Sequence, residues 1–329
     1  MNRREFVALS GGAAAACLFA GRARGDRVRR IGVLMAVAET DSDVQHGLAV
    51  FRQALEELGW REGRNLRFEY RWGGGDVERI GTYAKELVEE SPDILLAHST
   101  PPVVALRRET HSIPIVFLTV TDPLGQGLVK SLAHPGGNIT GFSVFMISLG
   151  AKWLEILKEI APGMARATII FNPQTAPYYP LYLKSIAQAA PSFSVEPVAV
   201  QIHDDADIEQ AITKVAQEKN GGLVILPDSF NIVHRKTIID LVAHYRLPAV
   251  YYFRYFATDG GLIAYGPDEI DLFRRSAGYV DRILRGATPA ALPVQQPSRF
   301  ELVINLQTAR ALGIKIPQSL LLTADEVIQ

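Results

Sequence analysis

VYYFRYFATDGGLIAYG, Val250–Gly266, is the stretch around which the chain is best organised. It opens as a buried strand from Pro248 to Tyr252. An aromatic-basic turn breaks that strand, a Gly260-Gly261 pair follows, and a second strand begins at Leu262–Tyr265. Apolar strand, irregular break and apolar strand is the pattern of a chain crossing between two lobes. It also sets aromatic and polar groups at strand ends, where open α/β sheets receive ligands. Gly260-Gly261 reads as turn and hinge backbone rather than a phosphate loop.

Upstream, strands alternate with helices. Ile31–Val37 is a continuous apolar run, as a strand buried on both faces requires. Leu48, Phe51, Leu55 and Leu58 share one helical face. Asn65–Trp72 alternates like a strand. Gly73-Gly74-Gly75-Asp76 follows the second strand and lacks both GxGxxG and the Walker lysine, so it reads as a turn with Asp76 as N-cap. Asp93–Ala97 is a third strand, and Thr100 followed by Pro101 predicts a helix N-cap and first turn. Ile113–Val120 is a fourth strand, Leu124–Leu132 a short helix and Ile139–Ser143 a fifth strand. This alternation predicts a doubly wound parallel sheet.

The alternation then restarts. Strands are expected at Ala167–Phe171, Val195–Val200, Gly222–Leu226 and Pro248–Tyr252, with helices between them. Asp204 and Asp268 are placed to cap helices. Phe300–Leu306 is a late strand. The predicted fold class is α/β, with two Rossmann-like lobes.

The 329 residues, 48% hydrophobic and 21% charged, suit a globular chain of two domains. No internal run reaches the roughly 18 apolar residues of a membrane span. A net charge of −1 offers no handle for nucleic acid. Arg3-Arg4 precedes the small apolar run Ala8–Ala20, and Gly21-Arg22-Ala23 supplies a cleavage site, the pattern of a twin-arginine export signal over residues 1–23. Cys17 lacks the upstream leucine of a lipoprotein signal. Cleavage after Ala23 removes three of 34 basic and one of 35 acidic residues, leaving a net charge of −3. It also removes Cys17, the one cysteine, and with it any disulfide framework or thiol chemistry.

The seven histidines form no HxH, HExxH or i,i+4 pair, so no metal is expected. Gly141-Phe142-Ser143 lacks the closing glycine of a nucleophile elbow. No cofactor motif occurs. What remains is a set of groups at strand ends: Ser99, Thr100, Thr121, Asp122, Asn172, Asp228 and Tyr251 through Arg254. Helix N–H groups and hydroxyls there would hold a carboxylate, an aspartate an ammonium, and an aromatic wall the apolar part of a small zwitterion. Asp122 before Pro123 and Asp228 after Pro227 are also good turn formers.

Four stretches resemble exported substrate-binding proteins of ABC transporters, whose characterised members include tryptophan- and tyrosine-type binders: Phe51–Tyr70 (FRQALEELGWREGRNLRFEY), Ile113–Gly141 (IPIVFLTVTDPLGQGLVKSLAHPGGNITG), Tyr251–Gly286 and Phe300–Val327 (FELVINLQTARALGIKIPQSLLLTADEV). The resemblance implies a type I periplasmic-binding fold with parallel sheets joined by three crossovers, periplasmic residence, delivery of a small molecule to a membrane permease, and no catalysis. It implies a monomer with an N-terminal lobe of residues 28–143 plus 254–290 and a C-terminal lobe of 144–253 plus 291–329. Val250–Gly266 then becomes the second crossover. The family's site maps onto Ser99, Thr100, Asp122, Asn172 and Asp228, with Thr121, Tyr178, Tyr251, Phe253 and Arg254 as further candidates. Alanine at Asp122 or Asp228 is expected to weaken binding without unfolding the chain. Arg254 has two readings, a ligand carboxylate contact or a pair with an acid across the lobes. His98 stands where relatives often carry glycine, and Asn172–Tyr179 departs from the turn of the amino-acid binders. A sensor that signals to a membrane kinase is an alternative on the same fold, and an exported α/β enzyme another.

Overall fold

The computed structural model describes residues 27–329; the expected export signal and Cys17 lie outside the described residues. The first lobe is a five-stranded parallel sheet in the order β2-β1-β3-β4-β5. Its strands are β1 (Arg29–Met35), β2 (Leu66–Trp72), β3 (Ile94–His98), β4 (Ile115–Val120) and β5 (Ile139–Ser143). Helices α1 (Ser42–Glu57), α2 (Val77–Glu89) and α3 (Thr100–Glu109) connect the first four. Every residue of β3 and β4 is buried, which is why those strands read as unbroken apolar runs.

The second sheet has seven strands in the order β12-β11-β10-β9-β8-β6-β7. They are β6 (Arg166–Phe171), β7 (Glu196–Gln201), β8 (Gly221–Ile225), β9 (Ala249–Tyr251), β10 (Ile263–Pro267), β11 (Phe300–Asn305) and β12 (Glu326–Ile328). Only β10 and β11 pair antiparallel. Helices α4 (Leu149–Ile160), α5 (Tyr179–Phe193), α6 (Asp205–Gln217), α7 (Ser229–Val233), α8 (Arg235–His244) and α9 (Arg254–Thr258) precede β10. Helices α10 (Glu269–Leu284), α11 (Leu306–Leu312) and α12 (Gln318–Thr323) follow it. The run β7-β6-β8-β9-β10 has the order of the whole first sheet, so the two lobes share one parallel topology without sharing a sequence repeat.

The expected caps form. The side chains of Asp76, Asp204 and Asp268 accept from backbone N–H groups in the first turns of α2, α6 and α10. Leu124–Leu132, expected as a helix, is instead a series of turns. Asp122 starts it with a positive φ of 49°, its Oδ1 accepting from Gly125 N at 2.9 Å, and Gly127 adds a φ of 64°. These left-handed residues break the helical hydrogen-bond ladder before it can propagate.

Val250–Gly266 is not a crossover. β10 pairs with β9 inside the second sheet, so residues 254–267 stay in the second lobe. A Cβ on Gly266 would stand 2.1 Å from the Tyr252 carbonyl oxygen, which shows how closely the returning strand lies on the end of β9. The chain leaves the second lobe only after Pro267. α10 then packs on α1 of the first lobe. The chain next runs along β5, where Ser143 N donates to Gln295 O at 2.8 Å and Gln295 N to Gly141 O at 2.9 Å. It returns to the second sheet between Gln295 and Phe300. The lobe boundaries expected at 254 and near 291 therefore move to about 268 and 296, because backbone pairing rather than the glycine pair decides sheet membership.

Gly266→Ala is expected to destabilise the fold by about 1–3 kcal/mol, since the methyl group has no room against the Tyr252 carbonyl. Urea unfolding followed by circular dichroism checks this; an unchanged midpoint would mean that β10 does not lie where it is described.

Candidate functional site

Parallel order sets the carboxyl ends of β3 and β4 in one lobe opposite those of β6 and β8 in the other. The first-lobe ends are backbone-strained. Ser99, Thr119 and Asp122 all have positive φ (75°, 54° and 49°), which non-glycine residues rarely adopt outside special sites. Ser99, not Thr100, is the N-cap of α3, and its side chain makes no capping bond. Thr100 is thereby moved into the first turn. Its hydroxyl is buried and has no hydrogen-bond partner among the described residues. Ser229, the residue after Asp228, holds the matching position at the start of α7, and its hydroxyl is likewise buried and unpartnered among the described residues.

In the second lobe, Asp228 ties two strand ends together. Its Oδ2 accepts from Asn172 N at 2.6 Å. Its Oδ1 accepts from Phe230 N at 2.9 Å and from the Thr175 hydroxyl. Asn172 Oδ1 in turn accepts from Gln174 N at 2.8 Å. Burial pushes the Asp228 carboxyl up to about 6, although these hydrogen bonds pull it the other way. Asp228 and Asn172 are thus first of all structural clamps. Alanine at 228 would strand two N–H groups and a hydroxyl in the interior, so the expectation that the fold would tolerate it is corrected.

Tyr178 and Tyr182, at the start of α5, reach toward the first lobe. The Tyr178 hydroxyl donates to Pro227 O. Burial, with the Asp228 charge nearby, pushes its pKa well up, while the neighbouring Thr121 hydroxyl of the first lobe opposes the shift. Burial, with the Asp122 charge nearby, also raises the Tyr182 hydroxyl. The Met146 backbone beside that hydroxyl opposes the shift. Thr121, Asp122, Tyr178 and Tyr182 are therefore brought together from both lobes. A cavity of about 570 Å³ lies mainly along α2 and α3 of the first lobe, lined by Val77, Gly81, Thr100, Val104 and Arg108 among others, with Gln174 and Pro177 of the second lobe at its edge; Ser99, Thr121, Asp122, Tyr178, Tyr182 and Asp228 do not line it. That volume suits a small molecule.

The candidates from the aromatic turn do not join this group. Tyr251 stacks on Phe256 with ring centroids 5.0 Å apart, and Phe253 stacks on Tyr255 at 5.1 Å; both are second-lobe packing. Arg254 pairs with Glu301 at 3.3 Å and with Glu326, on β11 and β12 of its own sheet. Its guanidinium is therefore engaged within one lobe and, among the described residues, forms no pair across lobes.

Tyr252, one of the strand-end set, and Glu269, which the residue pattern did not single out, connect the parts. The Tyr252 hydroxyl donates to Val144 O at 2.9 Å, at the first crossover. Glu269 Oε1 lies 2.9 Å from His98 Nε2, joining the start of α10 to the end of β3, and the His98 ring stacks on Phe273. The departure at His98 is thus a packed and paired group. Only its place before Ser99-Thr100 marked it in the sequence, and its partner lies 171 residues away. Among the described residues, no group of three or more His, Cys, Asp or Glu is arranged to hold a metal.

Two lobes of one parallel topology, with a polar cleft at their facing carboxyl edges, define a two-lobed solute-binding protein of the periplasmic-binding type. A model of the ABC transporter substrate binding protein family matches residues 30–328, and the chain belongs to that family. It is 28% identical over 266 residues, 80% of this chain and 76% of the relative, to a tyrosine-binding protein of Clostridioides difficile (strain R20291). A conserved domain protein of Vibrio cholerae O1 biovar eltor is similar in structure, with a TM-score of 0.84 and 29% identity over 92% of this chain and all of that one. An ABC domain of Streptococcus pneumonia, solved in complex with L-Trp, has the same fold, with a TM-score of 0.84 and 24% identity over 92% of this chain and all of that one. The family and these named binders are solute-binding proteins, not enzymes.

Asp228 gives a pH signature. Its folded-state value of about 6 lies above the ordinary 3.8, so the folded chain keeps a proton that the unfolded chain releases. Its contribution falls as pH rises from about 4 to about 6 and is level above that. The stability of the natural protein relative to D228N should drop by about 3 kcal/mol across the window, read from unfolding curves at pH 4 to 7. Parallel curves for the two proteins would show that the carboxyl does not titrate there.

Proposed function

We propose that this chain is the solute receptor of an ABC import system, closing its lobes on an amino acid with an aromatic side chain and delivering it to a membrane permease. Support comes from one hydroxyl at the cleft edge: that of Thr100 is buried, lacks a partner among the described residues and belongs to a residue lining a cavity that Gln174 and Pro177 of the second lobe border. A ligand oxygen there would relieve the cost of that burial. The name of the 28% identical relative favours tyrosine or a close analogue.

In this reading, the Ser99 and Thr100 hydroxyls and the Thr100 N–H receive the carboxylate, since Pro101 and Pro102 leave α3 no N–H at its second and third positions. Asp122 receives the ammonium. Tyr178 and Tyr182 cover the ring, with Thr121 between them, while Asn172 and Asp228 hold the second-lobe wall in place. The protein works in the periplasm as a monomer, exported by the twin-arginine route. No described helix is long and apolar enough to cross a membrane.

Titration calorimetry with L-tyrosine, L-tryptophan and L-phenylalanine, against tyramine and 4-hydroxyphenylacetate, tests the ligand class. The amino acids should bind, and removing either charged group should abolish most of the affinity. Thr100→Val and Tyr182→Phe should each weaken binding about fivefold, the worth of one hydrogen bond, with the unliganded Tm unchanged. If none of the five compounds binds, the ligand class is wrong; if one binds and both variants keep full affinity, the site is wrong.

A further inference from the structure

Arg235 is the first residue of α8, in the second lobe, and it meets three carboxylates. Its Nε donates to Asp259 at 2.7 Å, in the same lobe. Its Nη1 donates to Asp41 and its Nη2 to Asp43 at 3.1 Å, both at the start of α1 in the first lobe. The Tyr255 ring lies beneath, 5.1 Å from the guanidinium carbon. The side chain is only 14% exposed. We infer that Arg235 is an interlobe latch that holds the cleft shut and so sets the affinity of the site for its ligand, whatever that ligand is.

Both halves of the latch are oriented before they meet. Asp259 and Tyr255 hold the guanidinium from its own lobe. Asp41 is fixed because its Oδ1 already accepts from Val44 N at 3.1 Å as the cap of α1. Closure then forms two charge-assisted contacts with little further ordering of side chains. The neighbouring backbone is shaped for the same approach. Gly75 has a φ of 81°, and a Cβ there would come within 3.2 Å of Val233 Cγ2, at the end of α7. The triple-glycine turn of the first lobe therefore lets the two lobes meet beside the ion pairs.

The charge balance makes the arginine decisive. Burial pushes the Asp43 carboxyl up, Arg235 opposes this, and Asp41, Asp259 and Glu269 add to the rise. Three carboxylates thus meet one guanidinium, and Glu269 adds to the negative charge around Asp43. Without it, Asp41 and Asp43 would face Asp259 across the cleft with like charge, and closure would be opposed rather than merely unassisted. Because apparent affinity scales with the population of the binding-competent state, a change in the latch changes affinity without touching the ligand.

Small-angle X-ray scattering of the ligand-free protein at low ionic strength tests this without a ligand. Arg235→Gln and Asp43→Arg should each raise the radius of gyration, the second by setting two cations against each other. The double variant R235E/D43R restores one oppositely charged pair between the lobes and should reduce the expansion caused by Asp43→Arg only in part, because the acid at position 235 still faces Asp41 and Asp259. Lys236→Gln, which removes an exposed charge paired within its own helix, should leave it unchanged. Circular dichroism identifies any unfolded variant; should Arg235→Gln be one, Asp43→Arg and the double variant carry the test. The proposal is overturned if folded Asp43→Arg scatters like the natural protein, or if the charge swap leaves its expansion undiminished.

Discussion

Gly266 lies against the backbone of Tyr252 with no room for a side chain, and that contact decides how the two lobes are connected. It keeps β10 beside β9 and completes a second parallel sheet of the same order as the first. It postpones the crossover to Pro267, so that α10 begins at the cleft and Glu269 meets His98. Tyr252, at the end of β9, reaches Val144 at the first crossover. The chain between Leu292 and Gln295 runs beside β5, close to where the first crossover starts. Three connections therefore lie near one another, as a hinge requires.

The cleft owes its chemistry to the same topology. Parallel strands end on one edge, and the helices that follow them start there. Thr100 and Ser229 put hydroxyls at equivalent places in the two lobes, although Pro101 and Pro102 leave the start of α3 poor in free N–H groups. The groups divide into those that satisfy one another and those that do not. Asp228, Asn172 and Thr175 form a closed set, which fixes the second-lobe wall. Thr100 and Ser229 stay unpaired among the described residues, which is costly in an interior unless a ligand pairs with them. In the proposed reading, a site with such a fixed wall and unsatisfied hydroxyls gains most from closure, when water is excluded.

Much of this was legible in the sequence. Runs such as Ile94–His98 and Ile115–Val120 could only be strands buried on both faces, and the heptad-like spacing of Leu48, Phe51 and Leu55 could only be a helix packed on one side. Asp76, Asp204 and Asp268 announced helix starts through local hydrogen bonding. The strand-end rule located Ser99, Thr100, Thr121, Asp122, Asn172 and Asp228, because a parallel sheet always puts its functional loops on one edge. These features depend on residues a few positions apart, so the sequence by itself determined the α/β class, the two-lobed plan and the strand ends that border the cleft. Tertiary structure alone decided the rest. Nothing local shows that β10 returns to its own sheet, that Arg254 is held by Glu301 and Glu326, or that Arg235 reaches Asp41 and Asp43 nearly two hundred residues away. Charged pairs and backbone contacts between distant segments carry no periodicity, and the same arginine reads alike whether it faces water, an acid in its own lobe or the opposite wall of the cleft.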